Sequence, residues 1–249
     1  MAVGRKPFQG VMNIVRFNWH FYVIALLLMS AGGGLAYYMQ IPVLAPLTGL
    51  AFIACLLSLL VSMYIYDLSG LYTLNWIAAA SGEKLIVNIH AGFDETSTLL
   101  QDKYPDAAVQ IIDFYDPEKH TEISIKRARN RYPGLPQTVT AETHHLPLAD
   151  AAADKIFVIF SAHEIRDWEE RKLFMKELAR SMHTEGRIYI TEHLRDLPNF
   201  LAYNIGFFHF YPKQDWLRLF EDTGLQLERE IKLTPFISTF IIAKNDTAL

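Results

Sequence analysis

Lys155-Ile156-Phe157-Val158-Ile159-Phe160-Ser161 is the stretch on which the fold turns. Five consecutive β-branched or aromatic residues read as a strong strand. The stretch over 168–183 then reads as a long helix. A strand followed by a helix is the unit from which parallel sheets are built.

The alternation continues outward in both directions. Upstream, 84–89 is a short apolar run and 95–104 reads as a helix. A strand follows at 109–113, a helix at 118–131 and a weaker strand at 138–141. Downstream, Glu185-Gly186 reads as a turn into a strand at 187–191. A helix over 213–223 ends at Gly224, and 226–232 and 236–243 close as two strands with no helix between them. The pattern predicts an α/β domain with a doubly wound, mostly parallel seven-stranded sheet of Rossmann-like form and a terminal hairpin at one edge.

The first 66 residues are of another kind. They hold no Asp or Glu and only three charged groups, Arg5, Lys6 and Arg16. The remaining 183 residues carry 20 basic and 27 acidic groups, a balance of −7. That balance argues against a nucleic-acid binder, which needs a phosphate-neutralising patch. The single cysteine, Cys55, excludes intrachain disulfides, zinc ribbons and CxxC redox motifs.

Residues 17–66 run for 50 positions without a formal charge. One membrane span needs about 20 apolar residues. Gln40-Ile41-Pro42 divides the run into 21–39 and 43–66, two spans joined by a tight turn. Trp19, Tyr22, Tyr37, Tyr38, Tyr64 and Tyr66 fall near the span ends, where amphipathic rings favour the interface. The basic residues precede the first span, so the positive-inside rule keeps the N-terminus in the cytoplasm. Two spans return the chain to the same side. The expected organisation is a cytoplasmic basic N-terminus over 1–20, a transmembrane helical hairpin over 21–66, a linker over 67–82 and the α/β domain over 83–249. The protein is expected in an inner or plasma membrane, with that domain facing the cytoplasm.

Several local patterns resemble the class I S-adenosylmethionine-dependent methyltransferases. Glu142-Thr143-His144-His145-Leu146-Pro147-Leu148, then Asp154-Lys155-Ile156, is similar to the family's acidic-x-x-x-Leu-Pro-φ…Asp-x-φ block. The resemblance implies that Glu142 and Thr143 contact the adenine. Val109-Gln110-Ile111-Ile112-Asp113 is similar to the second strand, which implies that Asp113 holds both ribose hydroxyls. Gly186-Arg187-Ile188-Tyr189-Ile190 is similar to the fifth strand. In place of the family's acidic-x-Gly-x-Gly-x-Gly, this sequence has Asn88-Ile89-His90-Ala91-Gly92-Phe93-Asp94. Only Gly92 remains of the glycines that let backbone approach a ligand. Asn88 can hydrogen-bond a ligand ammonium but cannot pair with it as a charge. Asp94 is placed to cap the following helix. Asp94 and Glu95 there would repel a pyrophosphate, which argues against NAD or FAD.

Ligands of open α/β sheets lie beyond the carboxyl ends of the strands. Those ends carry His163-Glu164-Ile165-Arg166 and Thr191-Glu192-His193-Leu194-Arg195. His163, Glu164, Glu192 and His193 are the catalytic candidates. One use is an imidazole base that takes the proton of an acceptor hydroxyl. A second is a divalent metal held by imidazole and carboxylate, which lowers the acceptor's pKa. A third is cross-strand ion pairing that orders the loops. His120 and His209 read as ordinary loop or interface residues. The basic helix over 118–131 is a solvated face or a contact for anionic lipid. Tyr66-Asp67 either lines the cofactor pocket or is linker. The aromatic stretch 199–211 suits a flat apolar substrate, the bilayer surface, or packing on the hairpin.

The resemblance implies an enzyme that takes S-adenosylmethionine and methylates a hydrophobic acceptor: a quinone, an isoprenoid phenol or a lipid. The alternative is an inactive methyltransferase-like domain serving as a membrane-tethered binding module. The expected partners are the lipid bilayer and that acceptor, with no nucleic acid.

Overall fold

The structure is a computed structural model that describes residues 5–78 and 82–245. Seven strands form one sheet in the order β3-β2-β1-β4-β5-β7-β6. They are β1 (Leu85–His90), β2 (Ala108–Asp113), β3 (Val139–Thr140), β4 (Ala153–Ile159), β5 (Met182–His193), β6 (Leu225–Thr234) and β7 (Ile237–Lys244). The first five run parallel, and β7 pairs antiparallel with both β5 and β6. Strand order reverses between β1 and β4, which places the ligand crevice over their carboxyl ends. The central strands are buried on both faces, as their unbroken apolar runs require: Ile86, Val87 and Ile89 in β1, and Ile156, Phe157 and Val158 in β4, are fully buried.

The helices of this unit are α4 (Ser97–Lys103), α5 (Ile123–Arg131), α6 (Trp168–Ser181), α7 (Leu197–Tyr203) and α8 (Lys213–Asp222). Asp167 caps α6 by accepting from the Glu170 amide, and Asp196 caps α7 by accepting from Asn199. Two local expectations are corrected. Glu185-Gly186 is no turn: β5 runs straight through it, with a register irregularity against β4 between Ala153 and Lys155. A Cβ on Gly186 would come within 2.8 Å of the Ala153 carbonyl oxygen, so the glycine serves a close strand approach. The helix expected from residue 118 begins at Ile123, because Asp116 and Pro117 open a turn first.

Three helices precede the sheet: α1 (Gln9–Phe17), α2 (Trp19–Tyr38) and α3 (Leu44–Met63). The last two form an antiparallel pair close to the bounds expected for the spans. Both are long and apolar enough to cross a membrane, and almost none of their surface is buried by the rest of the protein. Among the described residues, apolar surface left this bare is of the kind that a membrane or a partner covers.

Helix α1 was not expected within the basic N-terminus. Its first amides are held by the Asp67 carboxylate, which accepts from Gly10 N at 2.7 Å and Val11 N at 2.9 Å. A carboxylate there complements the positive end of a helix. Phe17 meets Phe93 and Tyr132 edge-on, and Arg127 of α5 donates to the Phe17 carbonyl. Arg5 forms an ion pair with Glu95 at 2.8 Å and lies over the Tyr72 ring. These contacts dock the N-terminal segment on the sheet unit.

Candidate functional site

Two cavities lie over the carboxyl edge of the sheet. The first, of about 240 Å³, spans the ends of β1 and β4 and is roofed by α1. Its lining includes Asn13, Tyr66, His90, Phe160 and Glu164. The second, of about 570 Å³, sits beside β2 and β3 and includes Tyr115, His120, Glu142, Thr143 and Glu170.

Between them stands Arg129 of α5. Its Nη1 donates to Asp113 Oδ2 at 2.5 Å, and its guanidinium lies 4.2 Å from the centre of the Tyr115 ring. The other carboxylate oxygen, Asp113 Oδ1, accepts from Tyr115 N at 2.9 Å. Gly92, with φ of +91°, passes directly beneath: a Cβ there would meet Arg129 at 2.8 Å and Tyr115 at 2.9 Å. This one glycine therefore answers to both its own backbone and a close approach.

The polar groups of the first loop are largely spent inside the fold. Asn88 is buried, and its Nδ2 donates to Ser97 Oγ at 2.7 Å and Thr96 Oγ1 at 3.0 Å. It anchors the start of α4. The cap of that helix is Thr96 and not Asp94, which lies two residues earlier and accepts from the amides of Thr96 and Ser97 in the turn leading into it. His90 receives the Gly92 amide on Nδ1, so its neutral ring carries the proton on Nε2. Burial lowers its pKa. Nε2 of His90 and Nδ2 of Asn13 are buried without a hydrogen-bond partner, and both residues line the first cavity. Unsatisfied buried donors of this kind suit a polar ligand.

In the second cavity Thr143 donates to Glu170 at 2.6 Å, while Glu142 is exposed and pairs with His144 at 3.0 Å. Tyr115 and His120 stack. The residues fit S-adenosylmethionine in kind: an acidic group ends β2, an aromatic and polar cavity lies on one side of it, and unpaired donors lie on the other. For a ribose to reach Asp113, Arg129 must swing aside.

The ends of β4 and β5 carry a second constellation. Phe160 takes a left-handed conformation, φ of 51°, unusual for a bulky residue, and turns the chain sharply into 161–164. His163 then lies beside Glu192 of β5. Nδ1 of His163 is 2.6 Å from Glu192 Oε2, and the His163 amide donates to Oε1. Nε2 of the same ring is 3.3 Å from Glu164 Oε1. Burial pushes the imidazole pKa down, but the charge of Glu192 and the bonds to both carboxylates outweigh it and lift it to about 10. The same pairing holds Glu164 well below the usual carboxylate range despite its burial. Arg171 is also buried and donates to the Ile165 and Arg166 carbonyls, fixing the loop from below.

His193 is set apart from this cluster. Its ring is sandwiched between Phe160 and Phe210. Nδ1 faces Asn199 Oδ1 and the Phe236 carbonyl, both at 3.1 Å. The proton therefore sits on Nδ1, and the Nε2 lone pair accepts from the Tyr66 hydroxyl at 2.8 Å. Burial drives its pKa down to about 4. So three of the four catalytic candidates come together, and the fourth positions Tyr66.

Arg129 carries no individual signal in the sequence, and His209, expected as an ordinary loop or interface residue, belongs to the cluster. His209 ends the 3₁₀ segment Asn204–His209, and its Nε2 is 3.7 Å from Glu164 Oε1. No local pattern joins it to His163, 46 positions upstream. The basic helix proves partly committed, since Arg127 and Arg129 bond within the protein. In the aromatic stretch, Ala202 and Tyr203 pack against Val61 and Ile65, while Phe200, Leu201, Ile205 and Phe208 stay exposed.

Residues 94–190 match a family model described as a methyltransferase domain. Among solved structures, the mitomycin 7-O-methyltransferase MmcR is similar at a TM-score of 0.55 and 14% identity, covering 97% of this chain and 74% of that one. LaPhzM is similar at 0.50 and 15%, covering 85% and 61%. A SAM-dependent methyltransferase from Aquifex aeolicus shares 18% identity over 71% of this chain and 93% of its own, at a TM-score of 0.49. No curated protein matches the chain. The α/β unit has the fold of the class I S-adenosylmethionine-dependent methyltransferases, and the matched methyltransferase-domain segment lies within it.

Proposed function

We propose that the protein is a membrane-anchored methyltransferase acting on a flat hydrophobic acceptor with a hydroxyl group, such as a quinol, an isoprenoid phenol or a lipid. One observation carries this reading: the cavity over β1 and β4 is walled by Tyr66, on the π-helical turn that continues α3, and roofed by α1. The apolar hairpin and the site share a wall, so an acceptor dissolved in the bilayer reaches the site without crossing water. The exposed apolar side chains of α7 and the segment after it extend the same surface.

Docking of α1 on α5 supports an entry to the first span on the same side as the α/β unit. With Arg5, Lys6 and Arg16 there, both belong in the cytoplasm. A reporter after Leu249 and one at the N-terminus should both read as cytoplasmic; an external C-terminus would reject the hairpin.

S-adenosylmethionine, when bound, supplies an electrophilic methyl group on a sulfonium. Asp113 would hold its ribose, Glu142 and Thr143 its adenine edge, and Gly92 the close backbone approach. Asn88 serves that end indirectly, by fixing the start of α4. At the acceptor end, Glu192 orients His163, and Glu164 presents a carboxylate to the cavity. Between two carboxylates His163 holds its proton tightly at neutral pH, which favours polarising or positioning an acceptor oxygen over unaided proton removal. His193 keeps Tyr66 in the cavity wall.

A second reading has an observation of its own. Asn88 and Asp113 are both saturated by neighbours, as expected of a methyltransferase-like domain kept as a binding module. Calorimetry with S-adenosylhomocysteine separates the two, followed by radiolabelled methyl transfer to quinols in lipid vesicles. Binding with transfer supports the enzyme; a folded protein that does neither supports the module.

A further inference from the structure

Both imidazoles at the acceptor end are oriented alike. His163 turns Nδ1 to Glu192 and Nε2 to Glu164 Oε1; His209 turns Nδ1 to Glu122 Oε1, at 3.3 Å, and Nε2 to the same Glu164 oxygen. Two Nε2 atoms thus converge on one carboxylate, and each ring is backed by a second carboxylate. All three donor atoms lie within 4.8 Å of one another. A metal bound at about 2.0–2.1 Å sets its ligands roughly 3–3.5 Å apart. The observed 3.3 and 3.7 Å approach that spacing.

We infer that His163, Glu164 and His209 form a binding site for a divalent transition-metal ion, with Glu192 and Glu122 as the carboxylates that orient the two histidines. The donor set selects the metal: two imidazoles and one carboxylate suit zinc, cobalt, manganese or ferrous iron, and suit magnesium and calcium poorly. A carboxylate on the far nitrogen of a ligating imidazole fixes its tautomer and raises its basicity. The three protein ligands leave coordination positions open on the side of Glu164, which lines the first cavity. Resting on the function proposed above, the open positions would take an acceptor oxygen and lower its pKa.

Arg166 is the competitor. Its Nη2 lies 2.6 and 2.5 Å from the two ring nitrogens of His209, and 3.9 Å from both Glu122 and Glu164. Its Nη1 donates to the His209 carbonyl at 2.8 Å. The guanidinium neutralises the carboxylates that a cation would otherwise neutralise, so metal entry requires its side chain to turn outward. Half exposed, it has room to do so.

The test uses the tag-free full chain in detergent, stripped by chelator and titrated with Co²⁺ by visible d–d absorption and with Zn²⁺ by calorimetry. One equivalent should bind. Glu164→Gln and His209→Ala, both outside the deepest core, should each weaken binding by about 100-fold, and Glu192→Gln by about 10–100-fold. Arg166→Ala should tighten it, and His183→Ala, at the opposite end of β5, should leave it unchanged. The site is overturned if the folded chain shows no saturable binding. It is equally overturned if Glu164→Gln and His209→Ala bind as the parent does, or if Arg166→Ala weakens binding. Metal binding without methyl transfer would retain the site and remove the proposed function.

Discussion

The two halves of the carboxyl edge solve the same problem in opposite ways. At β1 and β2, polar groups are satisfied by their own neighbours: Asn88 by Thr96 and Ser97, Asp94 by the amides of α4, Asp113 by Arg129. At β4 and β5, carboxylates and imidazoles crowd together, with three carboxylates around two histidines. A ligand at the first half must displace a bond the protein already makes. One at the second half must turn Arg166 outward, but meets two imidazoles and a carboxylate that already converge. The difference teaches that a crevice of this fold need not be built alike along its length: at one end the candidate ligand groups are spent separately inside the fold, and at the other they converge behind a single half-exposed arginine.

The comparison breaks most readily at its crowded end. His163→Ala should lower methyl transfer by about 10²–10⁴-fold, the range for loss of an acid–base group placed at the acceptor oxygen. Affinity for S-adenosylhomocysteine should stay within a few-fold. Near-normal turnover in a folded His163→Ala protein would reduce the cluster to loop ordering.

The next effect is one of pH. His193 titrates near 6.5 in the unfolded chain and at about 4 in the fold, because burial disfavours its charged form. Between those values the unfolded chain binds the extra proton. Its contribution is therefore complete above pH 6.5 and is lost as pH falls toward 4, a loss on the order of 3 kcal/mol. Denaturant titrations of the parent and of His193→Asn at pH 7 and pH 4.5 measure it. An equal pH response in both would show that His193 is not the group responsible.

Asp113→Ala should weaken cofactor binding by about 1–3 kcal/mol, the cost of removing a charged acceptor from buried hydroxyls. Arg129→Ala sharpens the same point with the opposite sign. It frees Asp113 of its competing partner, so affinity should rise by roughly 1 kcal/mol or less, the usual scale of a half-exposed ion pair. Weaker binding in Arg129→Ala would mean that the arginine holds the ligand, and the closed half of the comparison would be misread.

What the sequence made legible follows from how far each signal reaches. The buried strands announced themselves because parallel strands covered on both faces must be continuously apolar, as Ile156-Phe157-Val158 is. The two apolar helices were legible for the same reason, their composition being set by what surrounds them. The stretches that resemble methyltransferase motifs also stood in one line of sequence, from Asp113 to Asp154. What escaped were pairings across the fold. Arg129 meets Asp113 only because α5 packs over the end of β2. His209 joins His163 through a 3₁₀ segment that has no periodicity to read. Asp67 caps α1 from 56 or 57 positions away, so neither the helix nor its cap was visible as a local pattern. Gly186, an ordinary turn signal, instead serves a close strand contact that depends on β4.

The central claim is that the α/β unit still takes S-adenosylmethionine despite its glycine-poor first loop and the Arg129–Asp113 bond. Calorimetric titration of the detergent-solubilised full chain with S-adenosylhomocysteine tests it most directly, with Asp113→Ala measured alongside. The account predicts saturable binding at one site per chain, weakened about 5- to 150-fold by Asp113→Ala. Absence of binding by a folded parent protein, or binding that Asp113→Ala leaves unaltered, would contradict it.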